Sequence, residues 1–248
     1  MLHLSSYQRP ASITIDGSNQ EWSSIPSYAA KGKFMLSVVN DDEYLYLCIS
    51  TRDEQLQTQL MGMGATVWFD PEGGTAKGFG IKYPLGRQPG ERPPAMGRND
   101  GIDQAREMGG GSLLEMEVVG ADESDRTRLP VNNSMGIRTA MARSVGGMLA
   151  YELKVPLKKT QEHPYALGVL SSAHVGLGIE IGRAGRRPGE SGSDFGGPPG
   201  GQDGGGRPPG NGMPGGQGGP PKGSMPSRES GNVESLELWF DVALSVLK

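Results

Sequence analysis

An all-β fold, arranged as a two-sheet antiparallel β-sandwich of immunoglobulin-like or jelly-roll type, is what this 248-residue sequence predicts. Three observations lead there. Apolar residues recur at every second position in segment after segment, which is the period of a strand with one buried face. The stretches between these segments carry Gly, Pro, Asn or Asp, the residues that turns require. Helical spacing is almost absent. The sandwich is expected to span residues 10–248 as one domain, interrupted by a long, disordered Gly/Pro-rich insertion at 184–232.

Taken in order, the first short strand is expected at 12–15, ended by Asp16-Gly17. Residues 34–39 alternate Phe34, Leu36 and Val38 with Met35, Ser37 and Val39. The tight turn Asn40-Asp41-Asp42 then leads into 44–51, where Leu45, Leu47 and Ile49 share a face, so the two segments form a hairpin. A second hairpin joins 65–70 to 77–83 through Pro71-Glu72-Gly73-Gly74, with Val67 and Phe69 on one side and Thr66 and Trp68 on the other. Further strands are expected at 113–119, 136–143, 148–156, 166–171 and 176–182. The last, 233–244, sets Leu236, Leu238, Phe240 and Val242 against Glu237, Trp239 and Asp241, so it must complete the core.

That final strand decides the status of the tract before it. Residues 185–223 hold 17 of the 41 glycines and 8 of the 19 prolines, with scarcely an apolar side chain. Such a segment cannot bury enough surface to offset its backbone entropy. It is therefore a loop inside the domain, and loop-closure entropy grows only logarithmically with its length. The polar stretches 86–112 and 120–134 also read as loops.

Composition narrows the function. The net charge is -4, from 24 basic and 28 acidic residues, which gives no electrostatic reason to expect nucleic acid or an anionic membrane as partner. No stretch approaches the roughly 18 apolar residues of a transmembrane segment, and no signal peptide is visible at the start. Cys48 is the single cysteine, so neither an internal disulfide nor a cysteine metal cage can form; it reads as a small buried hydrophobe. His3, His163 and His174 are scattered without ligand spacing. There is no nucleophile elbow and no metalloprotease helix, and the carboxylates sit in turns or alternate along strands as solvated groups do, so a non-catalytic protein is expected.

The residues with most to offer a ligand are aromatics on the faces opposite the aliphatic ones: Tyr44, Tyr46, Trp68 and Trp239. Exposed, they would stack on the apolar faces of sugar rings, with Glu152 and Lys154 among the hydrogen-bonding partners. The alternative is that they pack beneath the long loops. Trp22 is assigned to the core or a strand edge.

Several motifs in one order suggest a relationship. Ile13-Thr14-Ile15-Asp16-Gly17 with Trp22, the run from Asn40 to Leu47, Val67-Trp68-Phe69-Asp70, the run from Leu149 to Leu157, and Leu236-Glu237-Leu238-Trp239-Phe240 together resemble carbohydrate-binding module family 9 and its relatives in the DOMON-like superfamily. The resemblance implies a β-sandwich that binds sugars, often with structural calcium, or in some branches haem. It places the module in an extracellular or periplasmic setting, with a glycan or an envelope protein as partner, and leaves a self-associating assembly protein as the alternative. Calcium, as candidate cofactor, would draw on Asp16, Asp41, Asp42 and Asp70, although turns need the same residues. Family members clamp a terminal sugar between two tryptophans. Here the corresponding positions are Leu60-Met61-Gly62-Met63-Gly64 and the tryptophan-free Gly/Pro tract.

Overall fold

The alternation expected along the chain is realised in two packed sheets. The computed structural model describes residues 1–85, 113–122, 124–169, 174–182 and 235–245. The insertion expected at 184–232 and the loop expected at 86–112 lie outside the described residues, as does the unit Gly185–Val233; the sandwich belongs to the unit Met1–Ala184 with Glu234–Lys248.

In chain order the elements are β1 (Leu2–Ser5), β2 (Tyr7–Gln8), β3 (Tyr28–Ala30), β4 (Phe34–Asn40), β5 (Tyr44–Thr51), α1 (Glu54–Met63), β6 (Ala65–Asp70), β7 (Phe79–Tyr83), β8 (Glu115–Gly120), β9 (Arg126–Pro130), β10 (Arg138–Arg143), β11 (Leu149–Pro156), β12 (His174–Ile181) and β13 (Leu236–Ala243). The first sheet runs β1-β13-β12-β6-β7-β8-β9. The second runs β10-β11-β5-β4-β2, with β3 also on β4. Val67, Phe69, Leu177, Ile179 and Phe240 of the first sheet and Leu47, Ile49, Tyr151 and Leu153 of the second share one core, all of them almost completely buried.

Both expected hairpins form: β4 pairs with β5, and β6 with β7, antiparallel. Two edge pairings depart from the antiparallel rule. The N-terminal segment lies parallel to β13 as β1, then crosses over and lies parallel to β4 as β2. Ser6, at the crossing, is buried. Its N–H donates to the Ala243 carbonyl at 2.8 Å, its hydroxyl donates to Asn40 Oδ1, and the Ser245 N–H donates to its oxygen at 2.8 Å. Residues before position 10 thus join both sheets.

Local expectations fail where backbone groups find partners outside a ladder. Residues 12–15 form no strand: the Ile13 carbonyl accepts from Arg9 Nη2 at 2.8 Å, and the Thr14 N–H donates to Glu21 Oε2 at 3.1 Å. The described part of 166–171 is likewise not a strand. The Leu167, Gly168 and Val169 N–H groups donate to the carbonyls of Pro156 and Leu157. In contrast, the loop expected at 120–134 contains β9, which pairs with β8.

Helix α1 went unread because it buries only a short face, Leu56 and Leu60 with Gln57 and Gln59. Its signals are terminal. The Asp53 carboxylate accepts from the Leu56 N–H at 2.9 Å as N-cap, and Gly64 ends the helix at φ 77°. A side chain at Gly64 would also strike the Pro84 carbonyl, so the position excludes any other residue twice over.

Candidate functional site

The two outward faces of the sandwich are finished differently. On the second sheet, residues 10–25 fold across the outer face. Ile13, Trp22 and Ile25 pack there on Val39, Tyr46, Cys48 and Ala150, forming a second, smaller core. Cys48 is the buried hydrophobe expected of it, and burial pushes its thiol far up. Trp22 is 4% exposed, in agreement with its assignment to the core.

Glu152 lies at the centre of this covered face and is fully buried, at 0% exposure. It is therefore not one of the solvated carboxylates expected along the strands. Its oxygens accept from Trp22 Nε1 at 2.6 Å, from the Gly17 N–H at 2.6 Å and from the Asp16 N–H at 3.0 Å. Burial pushes the carboxyl up while the three donors pull it back, with burial prevailing. Three of its roughly four acceptor sites are thus committed to the fold.

Tyr44, Tyr46 and Lys154 do come together, at one end of the same face. The Lys154 ammonium lies 3.6 Å from the centre of the Tyr44 ring and 5.8 Å from that of Tyr46, while the Arg9 guanidinium lies 4.7 Å from the Tyr46 ring. Tyr46 is buried rather than exposed, and its hydroxyl donates to Asp41 Oδ2 at 2.9 Å; burial and that bond raise its pKa. Tyr44 is half-buried and meets His163 at 3.2 Å through its hydroxyl. Burial lowers the Lys154 ammonium below its ordinary pKa; Arg9 and Arg138 reinforce the shift and Asp41 opposes it.

Among the described residues, no segment folds over the outer face of the first sheet as residues 10–25 do over the second, and the remaining two aromatics meet there. Trp239 on β13, Gly178 on β12, Trp68 on β6 and Gly80 on β7 stand directly opposite one another as a single cross-strand row. Each indole covers a glycine. A methyl added at Gly178 would meet Trp239 Cζ2, Cη2 and Cε2 at 2.7, 2.8 and 2.9 Å, and one at Gly80 would meet Trp68 Cε3, Cζ3 and Cδ2 at 2.7, 2.9 and 3.1 Å. Three ring atoms at nearly equal distance show each ring lying over its glycine, so side-chain-free positions let the indoles rest against the sheet with their other faces outward.

Polar groups rim this row. Trp68 Nε1 donates to Glu180 Oε2 at 3.1 Å and Trp239 Nε1 to Glu237 Oε1 at 3.2 Å. The Lys77 ammonium lies 2.8 Å from Glu180 Oε2, 3.0 Å from Glu237 Oε1 and 5.6 Å from the centre of Trp68. Burial alone would lower the Lys77 pKa, but the two carboxylates raise it. Farther along the strands, Asp241 accepts from the Nδ1 of His174 at 2.8 Å and of His3 at 2.9 Å. Lys77, Glu180 and the two glycines were missed in the sequence; the available signal was Gly176-x-Gly178-x-Glu180, a strand whose outward positions carry almost no side chain.

The four aspartates considered for calcium sit on three separate turns, Asp41 and Asp42 sharing one. Asp41 accepts from the N–H groups of Glu43 and Tyr44, and Asp70 from those of Glu72 and Ala76. Among the described residues, the acidic group that converges is Asp16, Glu21 and Glu152, with ligand atoms within 4.8 Å of one another. Calcium takes six to eight oxygens, and part of the bonding capacity of this donor set is already committed. Glu152 already accepts three N–H groups, and Glu21 accepts both the N–H and the hydroxyl of Thr14.

The chain is similar to a solved structure of a carbohydrate-binding module of family 9 from Caldicellulosiruptor kristjanssonii in complex with glucose, with 13% sequence identity, a TM-score of 0.33, and coverage of 71% of this chain and 77% of that one. No family model and no curated protein matches the sequence. Among the described residues no helix is long and apolar enough to cross a membrane.

Proposed function

We propose that this chain is a non-catalytic glycan-binding module, working outside the cytoplasm, whose ligand face is the open side of the first sheet with Trp68 and Trp239 as its stacking platforms. The observation that supports this reading is the Trp239-Gly178-Trp68-Gly80 row. Indoles held against a sheet by glycine partners present flat apolar planes at fixed spacing, and the Glu180, Glu237 and Lys77 groups beside them can bond sugar hydroxyls.

The same groups speak against hydrolysis. A glycosidase needs one carboxyl protonated as acid and a second ionised. Here Glu180 and Glu237 are ion-paired with one and the same ammonium.

The test is a titration of intrinsic tryptophan fluorescence with soluble oligosaccharides, in the native chain and in the Trp68→Ala, Trp239→Ala double variant. The reading expects a saturable change that the double variant loses. Absence of any response, or a response that survives the double substitution, would overturn it.

A further inference from the structure

We infer that this face binds a single extended β-1,4-linked glycan along its length, laid across the strands so that Trp239 and Trp68 carry alternate sugar rings; the inference rests on the glycan-binding reading above. Both indoles rest on the same sheet, each with one face against a glycine, Trp239 over Gly178 and Trp68 over Gly80. They stand side by side, so they cannot close on the two faces of one terminal sugar. Both rings lean the same way, each onto the next strand of the sheet, so the interval between them is that between Gly178 and Gly80. Two strand spacings, about 9.5 Å, separate these glycines.

That interval selects a chain shape. In an extended β-1,4-linked glycan each ring is turned over relative to the one before it, so alternate rings present the same face. They lie one disaccharide unit apart, a length that matches two strand spacings. An α-1,4-linked chain of the same sugar coils and carries its alternate rings off that line. Sheet twist turns the second indole plane from the first by roughly 40–50° about the row, a rotation that the glycosidic bonds of a free chain can follow. A polar row runs beside the indoles. Glu237, Glu180, Thr66 and Lys82 are direct partners from β13 to β7, each two residues from a member of the indole row and therefore on the same face. An extended chain is apolar on its ring faces and carries hydroxyls along its edges. A stacking row flanked by a polar row of equal length is complementary to it.

The experiment is calorimetric titration of the full chain with glucose oligomers that differ in length, linkage or end. The probes are the β-1,4-linked dimer, trimer and hexamer, the α-1,4-linked hexamer, and the β-1,4-linked hexamer with its reducing-end ring opened to the alditol. The trimer is the shortest chain that reaches both indoles, so it should bind about tenfold more tightly than the dimer, as one added stacking contact allows. The β-1,4 hexamer should exceed the α-1,4 hexamer by about the same factor, for the same reason. Opening its end ring should leave its affinity unchanged, because the chain is held by its interior. In Trp68→Ala and in Trp239→Ala the step from dimer to trimer should vanish.

Equal or tighter binding of the α-1,4 hexamer would refute selection of an extended chain while leaving glycan binding intact. A dimer that binds as well as the trimer, or an affinity lost when the end ring is opened, would refute binding along the chain in favour of a single terminal sugar, again with the reading above still standing. If no oligomer of either linkage bound, the inference and the reading beneath it would fail together. Melting temperatures well above that of the titration assign the losses in the two variants to the site and not to unfolding, and the oligomer series on the native chain decides the matter without them.

Discussion

Every tryptophan of this chain donates its indole N–H to a glutamate, yet the two faces of the sandwich use that pair in opposite ways. On the covered face, Trp22 meets Glu152 at 2.6 Å under the chain's own N-terminal segment, and nothing of the carboxylate reaches solvent. On the open face, Trp68 meets Glu180 at 3.1 Å and Trp239 meets Glu237 at 3.2 Å, with both rings half-exposed over glycine. The chemistry of the pair does not decide between structure and recognition. What covers it does. Breaking a buried pair leaves a desolvated group unsatisfied and costs the fold heavily, while an exposed one contributes little stability and keeps its surfaces for a ligand.

The largest effect should come from the covered face. Trp22→Ala empties the small second core and leaves Glu152 without one of its three donors, so it should lower unfolding stability by about 3–5 kcal/mol, measured by denaturant titration. Trp68→Ala and Trp239→Ala, in contrast, should each lower stability by only about 1–2 kcal/mol, because each removes a half-buried ring and a hydrogen bond that is part-buried at Trp68 and exposed at Trp239. A loss from either that matched Trp22→Ala would end the distinction between the faces.

The pH response should separate them next. Burial raises the Glu152 carboxyl, so the native chain holds that proton more tightly than the unfolded one. Its contribution to stability therefore declines as pH climbs from the ordinary carboxylate range through the raised value. Asp241 on the open side runs the other way. Burial would raise it, but the bonds from His174 and His3 prevail and hold it below the ordinary value. Its contribution is present above that ordinary value and is lost as pH falls through the lowered one. Stability profiles measured between pH 2 and 8 should lose the first component in Glu152→Gln and the second in Asp241→Asn.

The smallest effect is expected in the main core. The Tyr151 hydroxyl is buried and makes no hydrogen bond of ordinary geometry among the described residues, although the Thr139 side chain interacts with it. Tyr151→Phe should therefore be neutral or stabilising by up to about 1 kcal/mol, since it removes a polar group without an ordinary hydrogen bond. A clear destabilisation in the same denaturant titration would show that the contact with Thr139 supports the fold.

Legibility in the sequence followed the same division. Period-two alternation placed β4 through β7, β11 and β12 to within two residues at either end and β13 to within three, because one buried face imposes that period directly on the chain. Segments held by other means escaped it. Residues 12–15 and 166–169 look like strands because they are apolar, but their backbone groups bond across irregular turns. Helix α1 was hidden because a single turn of Leu56 and Leu60 offers too little pattern. Among site residues, alternation placed Trp68 and Trp239 on an outward face correctly, whereas it gave Glu152 and Tyr46 the same outward direction without revealing what covers them.

The sequence by itself determined which side chains point toward the main core and which away, since that depends only on strand periodicity and on the turn residues between strands. Only the tertiary structure decided which outward face is roofed and which is open. It brought Trp22 onto Glu152 across 130 positions, and it set Gly178 between Trp68 and Trp239, residues on three strands that no local pattern connects. The physical reason is that register and coverage arise from contacts far apart along the chain, while alternation is a property of neighbours.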